Sequence, residues 1–171
     1  MKWKIIKLFI RCISAKGGNM SNLSEKLKNC SEQELKDFNY FIDGMLEMPL
    51  INAIDEVIDC LEKPDYCEHY DTHWQFLKQS YIFITYRIED DIKETKEVKT
   101  LFKKNSILID LIKPIEFWLK IIKLSVNFYK CNEWDIKETY IRKPTIDFYH
   151  YSNSLHDAIY DELEARKKKN D

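Results

Sequence analysis

At 171 residues, with 44% hydrophobic, 13% aromatic and 33% charged side chains, the chain has the composition of one globular domain. It is too aromatic for a disordered tail, and long enough to bury roughly two thirds of its unfolded surface without a disulfide or metal staple. The formal net charge of −2 hides an asymmetry: the first 19 residues carry five basic side chains and no acid, which leaves −7 for residues 20–171. A body this acidic repels nucleic-acid phosphates and favours basic partners, although a charge of this size also simply keeps a small domain soluble.

Three glycines and four prolines are too few for the turns of a many-stranded sheet. The expected fold class is therefore all-α, an irregular bundle of five to seven helices with at most one short strand pair. Five cysteines, with no CxxC pair, read as free thiols of a reducing compartment, the cytoplasm. No apolar run approaches the ~20 residues that span a bilayer.

The opening "MKWKIIKLFIRCISAKGGNM" places Lys4, Lys7 and Arg11 on one narrow wedge of a helix and Trp3, Ile5, Ile6, Phe9, Ile10 and Ile13 on the rest. Several readings compete. A secretory signal needs an apolar centre that Lys7 and Arg11 interrupt. A membrane-surface helix needs this basic stripe and wide apolar face, with Trp3, Lys4, Lys7, Phe9 and Arg11 as its anchors. An ordinary docked helix fits as well. In the remaining reading Lys16-Gly17-Gly18 is encoded by a bacterial ribosome-binding sequence ahead of a true start at Met20. The expected organisation is a basic amphipathic extension over 1–19 and a single helical domain over 20–171.

Along the body, Ser21 and Ser24 are capping residues for a first helix in "NLSEKLKNC". Ser31 and Glu34 form a capping box ahead of Leu35, Phe38, Ile42 and Met45, which predicts a helix over 32–47. Ile51, Ile54, Ile58 and Leu61 mark another, bounded by Pro49 and Pro64. A capping box at Thr72 to Gln75 opens a long helix through Trp74, Leu77, Tyr81, Ile84, Ile88 and Ile92, and the charged stretch 93–105 reads as its worn end and a connection. "SILIDLI" is helix or buried strand by periodicity alone, and Pro114 suits the first turn of a following helix. In that helix Glu116, Lys120, Lys123, Asn127 and Lys130 form a polar stripe with one wet edge. The segment after Cys131 is weakly patterned, and a last helix is expected from about 154 to 169.

No catalytic or cofactor-binding signature is present. Cys60, Cys67, His69 and His73 are ligand types suited to zinc, but the Cys67-x-His69 spacing is too tight for a finger and a polar loop accounts for them better. Arg142 and His150 resemble a nuclease pair, yet Pro144 between them argues against one continuous helix. Glu89, Asp90 and Asp91 point to different sides of a helix, as on a solvated face.

The segment from "WDIKETY" to "DFYHYSNSLHDAIYDELE" is more informative, because its aromatics, Phe148 among them, are too many to bury and alternate with carboxylates. Tyr140, Tyr149, Tyr151 and Tyr160 with Asp147, Asp157, Asp161 and Glu162 make a candidate binding face for a basic protein; the competing reading is a tyrosine-rich edge of the core. The sequence therefore points to a non-enzymatic, cytoplasmic, acidic protein-binding module without cofactor or nucleic-acid partner. Its sharpest form is a bacterial immunity or inhibitor protein covering the active site of a basic, nuclease-type toxin. This is an analogy of fold and charge that transfers no residues. The alternatives are a peripheral membrane protein anchored by the N-terminal helix, and a phage or mobile-element inhibitor of a host defence protein.

Overall fold

The computed structural model describes residues 23–47, 50, 52–55, 70–131 and 142–170. Five helices occur among them: α1 (Leu23–Leu27), α2 (Glu32–Glu47), α3 (Tyr70–Leu101), α4 (Ser106–Cys131) and α5 (Arg142–Asn170). Residues 52–55 add a helical turn, and no strand occurs among the described residues. The fold is all-α, as expected from the scarcity of glycine and proline.

The bounds of α2 match the sequence reading because its start is fixed by local chemistry. Ser31 Oγ accepts from the Glu34 amide at 3.2 Å, and the Glu34 carboxylate accepts from the Ser31 amide at 2.8 Å. Behind that cap Leu35, Phe38, Phe41, Ile42 and Met45 are buried on one face.

The other long helices correct the expected boundaries. α3 begins at Tyr70, ahead of the expected cap at Thr72, and continues through the charged stretch to Leu101. Its inward line gains Thr95, fully buried, whose hydroxyl donates to the Asp91 carbonyl at 2.6 Å. α4 is one helix from Ser106, so "SILIDLI" is helical and Pro114 lies inside it, not at the start of a new element. The carbonyl that loses its intrahelical donor to proline is that of Asp110, an exposed position. α5 begins at Arg142, twelve residues before its expected start, with Pro144 in its first turn, so Arg142 and His150 do share a continuous helix. Phe148, grouped with the exposed aromatics on sequence, is core.

The four long helices form a ring in the order α2, α5, α4, α3, with the α2–α3 contact the thinnest and α1 laid on α5. α3 and α4 run antiparallel about the turn at 102–105. The polar stripe of α4 meets α3: Glu116 takes Lys99 at 2.5 Å and its own-helix neighbour Lys120 at 2.6 Å, and Lys123 pairs with Glu89 at 3.0 Å. The core between the helices combines Leu108, Ile112, Ile115, Leu119 and Ile122 from α4 and Leu155 and Ile159 from α5 with the rings of Phe38, Phe41, Phe102 and Phe148.

One end of the ring is closed by a polar clasp. Asn105 Oδ1 caps α4 by accepting from the amides of Ile107 (3.1 Å) and Leu108 (3.2 Å). Its Nδ2 donates to the free Oε1 of the capping-box Glu34 at 3.1 Å and to Cys30 Sγ at 3.7 Å. From α5, the Arg166 guanidinium donates to the carbonyls of Leu27, Lys28 and Cys30 at 3.2, 3.3 and 2.9 Å, and is held from behind by Glu162 at 2.8 Å. A cation thus adds to the turn that ends α1, where the Leu27 carbonyl also accepts from the Cys30 amide at 3.0 Å.

Asn105→Ala removes the α4 cap and its links to α2 and Cys30 together. It is expected to cost about 1–3 kcal/mol of unfolding free energy in urea, with Asn105→Ser, which keeps a capping oxygen, recovering part of the loss. Equal midpoints for the Ala variant and the parent chain contradict this account of the clasp.

Candidate partner-binding face

α2 is acidic, with Glu32, Glu34, Asp37, Asp43 and Glu47 against Lys36 alone. Along its seam with α5, His156 of α5 stands between two carboxylates, Nε2 at 3.0 Å from Asp43 Oδ1 and Nδ1 at 3.3 Å from Asp157 Oδ1. Asn39 donates to the other Asp43 oxygen at 2.9 Å, and the Tyr160 ring stacks on His156 at 6.4 Å and 21°. Ten residues beyond His156 on α5, Arg166 reaches the Cys30 carbonyl just ahead of α2 at 2.9 Å, which fixes the two helices as antiparallel. In that register Tyr40 and Tyr160 fall at the same level, one turn beyond the Asp43–His156 pair. Tyr40 is 80% exposed and Tyr160 55% exposed. Two exposed tyrosines thus stand at one level of the α2–α5 seam, with Asp157 and Asp161 of α5 exposed as well.

The residues singled out on sequence divide unequally over this arrangement. Tyr160, Asp157 and Asp161 lie on the face. Tyr149 is half-buried beside His150, and Asp147 pairs with Lys143 at 2.9 Å. Glu162 is occupied by Arg166. Tyr151 packs against the core and its hydroxyl donates to the Leu111 carbonyl of α4 at 3.0 Å, where burial pushes its pKa up to about 12. It braces α4 against α5. Tyr140, the N-terminal Trp3, Lys4, Lys7, Phe9 and Arg11, and Cys60, Cys67 and His69 lie outside the described residues, and His73 is described as helical backbone only. Arg142 Nε lies 3.3 Å from Asp55, and His150 is exposed. Among the described residues no group of histidine, cysteine and carboxylate is arranged to hold a metal.

The contribution of α2 was missed: Tyr40, Asp43 and Asn39 belong to the face as much as anything on α5. Tyr40 lies off the apolar stripe of Leu35, Phe38, Ile42 and Met45, and a large aromatic on the polar side of a well-patterned helix was the signal available.

The chain matches no family model, no curated protein and no solved structure.

Behind the face, α2 is tied to α3 by Arg87, whose Nη2 donates to the Gly44 carbonyl at 2.6 Å. Arg87 Nε lies 3.1 Å from Asp91 Oδ1, but the two are not aligned as a hydrogen bond. Asp91 is only 1% exposed, in the inward line of α3, which corrects its reading as part of a solvated face; Glu89 and Asp90 are exposed as expected. Burial outweighs Arg87 and, helped by Glu94 and Asp90, pushes the Asp91 carboxyl up to about 7. Glu94, with one oxygen near Gly44, is raised for the same leading reason.

A carboxyl whose folded pKa lies above its unfolded value stabilises the fold while protonated. That contribution is lost as pH rises from the ordinary 3.8 to about 7 and is flat above. Glu34 and Glu116 are shifted the other way, so they weaken the fold below their ordinary 4.5, and the carboxyls raised among the described residues are Asp91 and Glu94. Thermal unfolding is therefore expected at a higher temperature near about pH 5 than near about pH 7, and Asp91→Asn should remove most of the difference. A parent chain more stable at the neutral pH, or an unchanged slope in the variant, contradicts it.

Proposed function

We propose that the protein is a non-enzymatic binding module that takes a basic protein partner on the α2–α5 face. Its most specific form is an immunity or inhibitor protein that covers the active site of a basic, nuclease-type toxin. The observation that carries this reading is the pair of solvent-facing tyrosines, Tyr40 and Tyr160, at one level of an acidic seam. Tyrosine offers a large rigid ring and a polar tip at little entropic cost, and is enriched among residues that dominate binding energy. The carboxylates of Asp43, Asp157 and Asp161 supply the complement to lysine and arginine on a partner, speeding encounter and rejecting acidic surfaces. Nuclease toxins must be basic to hold phosphate, so a small acidic blocker fits them physically.

The test is affinity capture from the native cell lysate with the tagged chain and with a Tyr40→Ala/Tyr160→Ala variant, eluted with rising salt and identified by mass spectrometry. Both rings are exposed, so the variant retains the core. A basic protein held in stoichiometric amount by the parent chain, released by salt and lost from the variant is the expected result, each tyrosine being worth about tenfold in affinity or more. Addition of the chain should also abolish any nuclease activity of the captured protein. The same proteins on both baits, or no basic protein on either, overturns the reading.

A further inference from the structure

The clasp that closes the bundle also gathers lysines that are far apart in sequence. Arg166 joins the end of α5 to the end of α1, and Asn105 joins the α3–α4 turn to the α1–α2 junction. Lys26 and Lys28 of the α1 region, Lys103 and Lys104 of the turn, and Lys168 and Lys169 of α5 therefore share one end of the molecule. The charge of Lys26 reaches Asp110 on α4, across that end. All six are exposed, and none makes an ion pair among the described residues. Of the acids nearby, Glu32 is paired with Lys36, Glu162 with Arg166, Glu164 with Lys167 and Asp110 with Lys113, and Glu34 accepts from Ser31 and Asn105, which leaves Glu25 and Glu34 without an ion pair there among the described residues. Beside the turn Leu101 is 64% exposed.

We infer that this lysine-bearing end, with Leu101 at its rim, is a surface that rests on an anionic lipid bilayer. Clustered lysines near a membrane gain from its negative surface potential, and their point charges need no fixed geometry from the headgroups. An exposed leucine among them fits the boundary between headgroups and acyl chains, where a nucleic-acid backbone would offer it nothing. Arginine, the usual reader of phosphate and bases, is absent from the six, and Arg166 is turned inward to the clasp. The surface is separate from the tyrosine face, whose centre lies about 16 Å further along the helices, and does not depend on the binding reading given above.

The full-length chain is sedimented with vesicles of phosphatidylcholine alone and of phosphatidylcholine mixed with phosphatidylglycerol. Binding is expected to the mixed vesicles alone and to weaken with salt. Lys103→Gln/Lys104→Gln and Lys168→Gln/Lys169→Gln should each lower partition about 25-fold, roughly fivefold per lysine, and Leu101→Ser several-fold. Lys93→Gln/Lys96→Gln, elsewhere on α3, should leave it unchanged. All these positions are exposed, and far-UV circular dichroism checks that the variants fold. Absence of sedimentation, loss shared equally by the Lys93/Lys96 variant, or parent-like binding by both lysine-end variants overturns the proposal. Tighter binding to a DNA duplex than to the mixed vesicles does so as well, and names the other occupant.

Discussion

The side-chain amide of Asn105 is the point at which four chain segments are made to agree. One oxygen starts α4, and the nitrogen reaches the carboxylate that starts α2 and the thiol that ends the α1 region. Through the Cys30 carbonyl the same junction receives Arg166 from α5. Helix ends are where a helical protein has unsatisfied backbone groups to settle, and here they are settled on one another, not in water. The relative heights of the helices follow: α2 and α5 come into the antiparallel register that sets Asp43 against His156, and the tyrosine level with it.

The opposite side of the ring is held differently. α2 and α3 touch little, and what joins them is Arg87 with its guanidinium shared between a carbonyl and a buried carboxylate. A buried ion pair is weak evidence of stability, since desolvation opposes the attraction, but it does specify which partner and which register are acceptable. An aliphatic contact would let α2 slide; the polar one fixes Gly44 opposite Arg87. α2 is therefore positioned from one side by this joint and from the other by His156.

What could be read from the sequence was what is decided within one turn of helix. The Ser31–Glu34 box, the bounds of α2 and the all-α class rest on spacing of three and four residues. The ends of α3 and α5 do not. Residues 93–101 look worn because their support comes from Lys99 reaching Glu116, seventeen residues away, and from Thr95 in the core. The start of α5 was obscured because its buried line passes through Thr145 and Ser152, small polar residues that break the apolar pattern while Phe148, Leu155 and Ile159 maintain it. Asn105 directly before "SILIDLI" was a legible cap that would have decided helix over strand. On the candidate face the α5 members Tyr160, Asp157 and Asp161 were legible from composition, whereas Tyr40 and Asp43 join them only through the fold. The lysine end was hidden most completely, since its pairs lie on three segments and become neighbours only when the bundle closes.

That gathering of cations at one end makes the charge of the described residues uneven along the bundle axis. A small net charge would suggest indifference to electric fields, but an uneven charge distribution turns in a field even when it feels little net pull. Near a charged surface the molecule is oriented before it touches, so that a diffusional encounter samples one end in preference to all orientations. The effect has a short range at physiological ionic strength, where the screening length of about 8 Å is well below the length of α5. It also selects among orientations at contact in any crowded, unevenly charged setting.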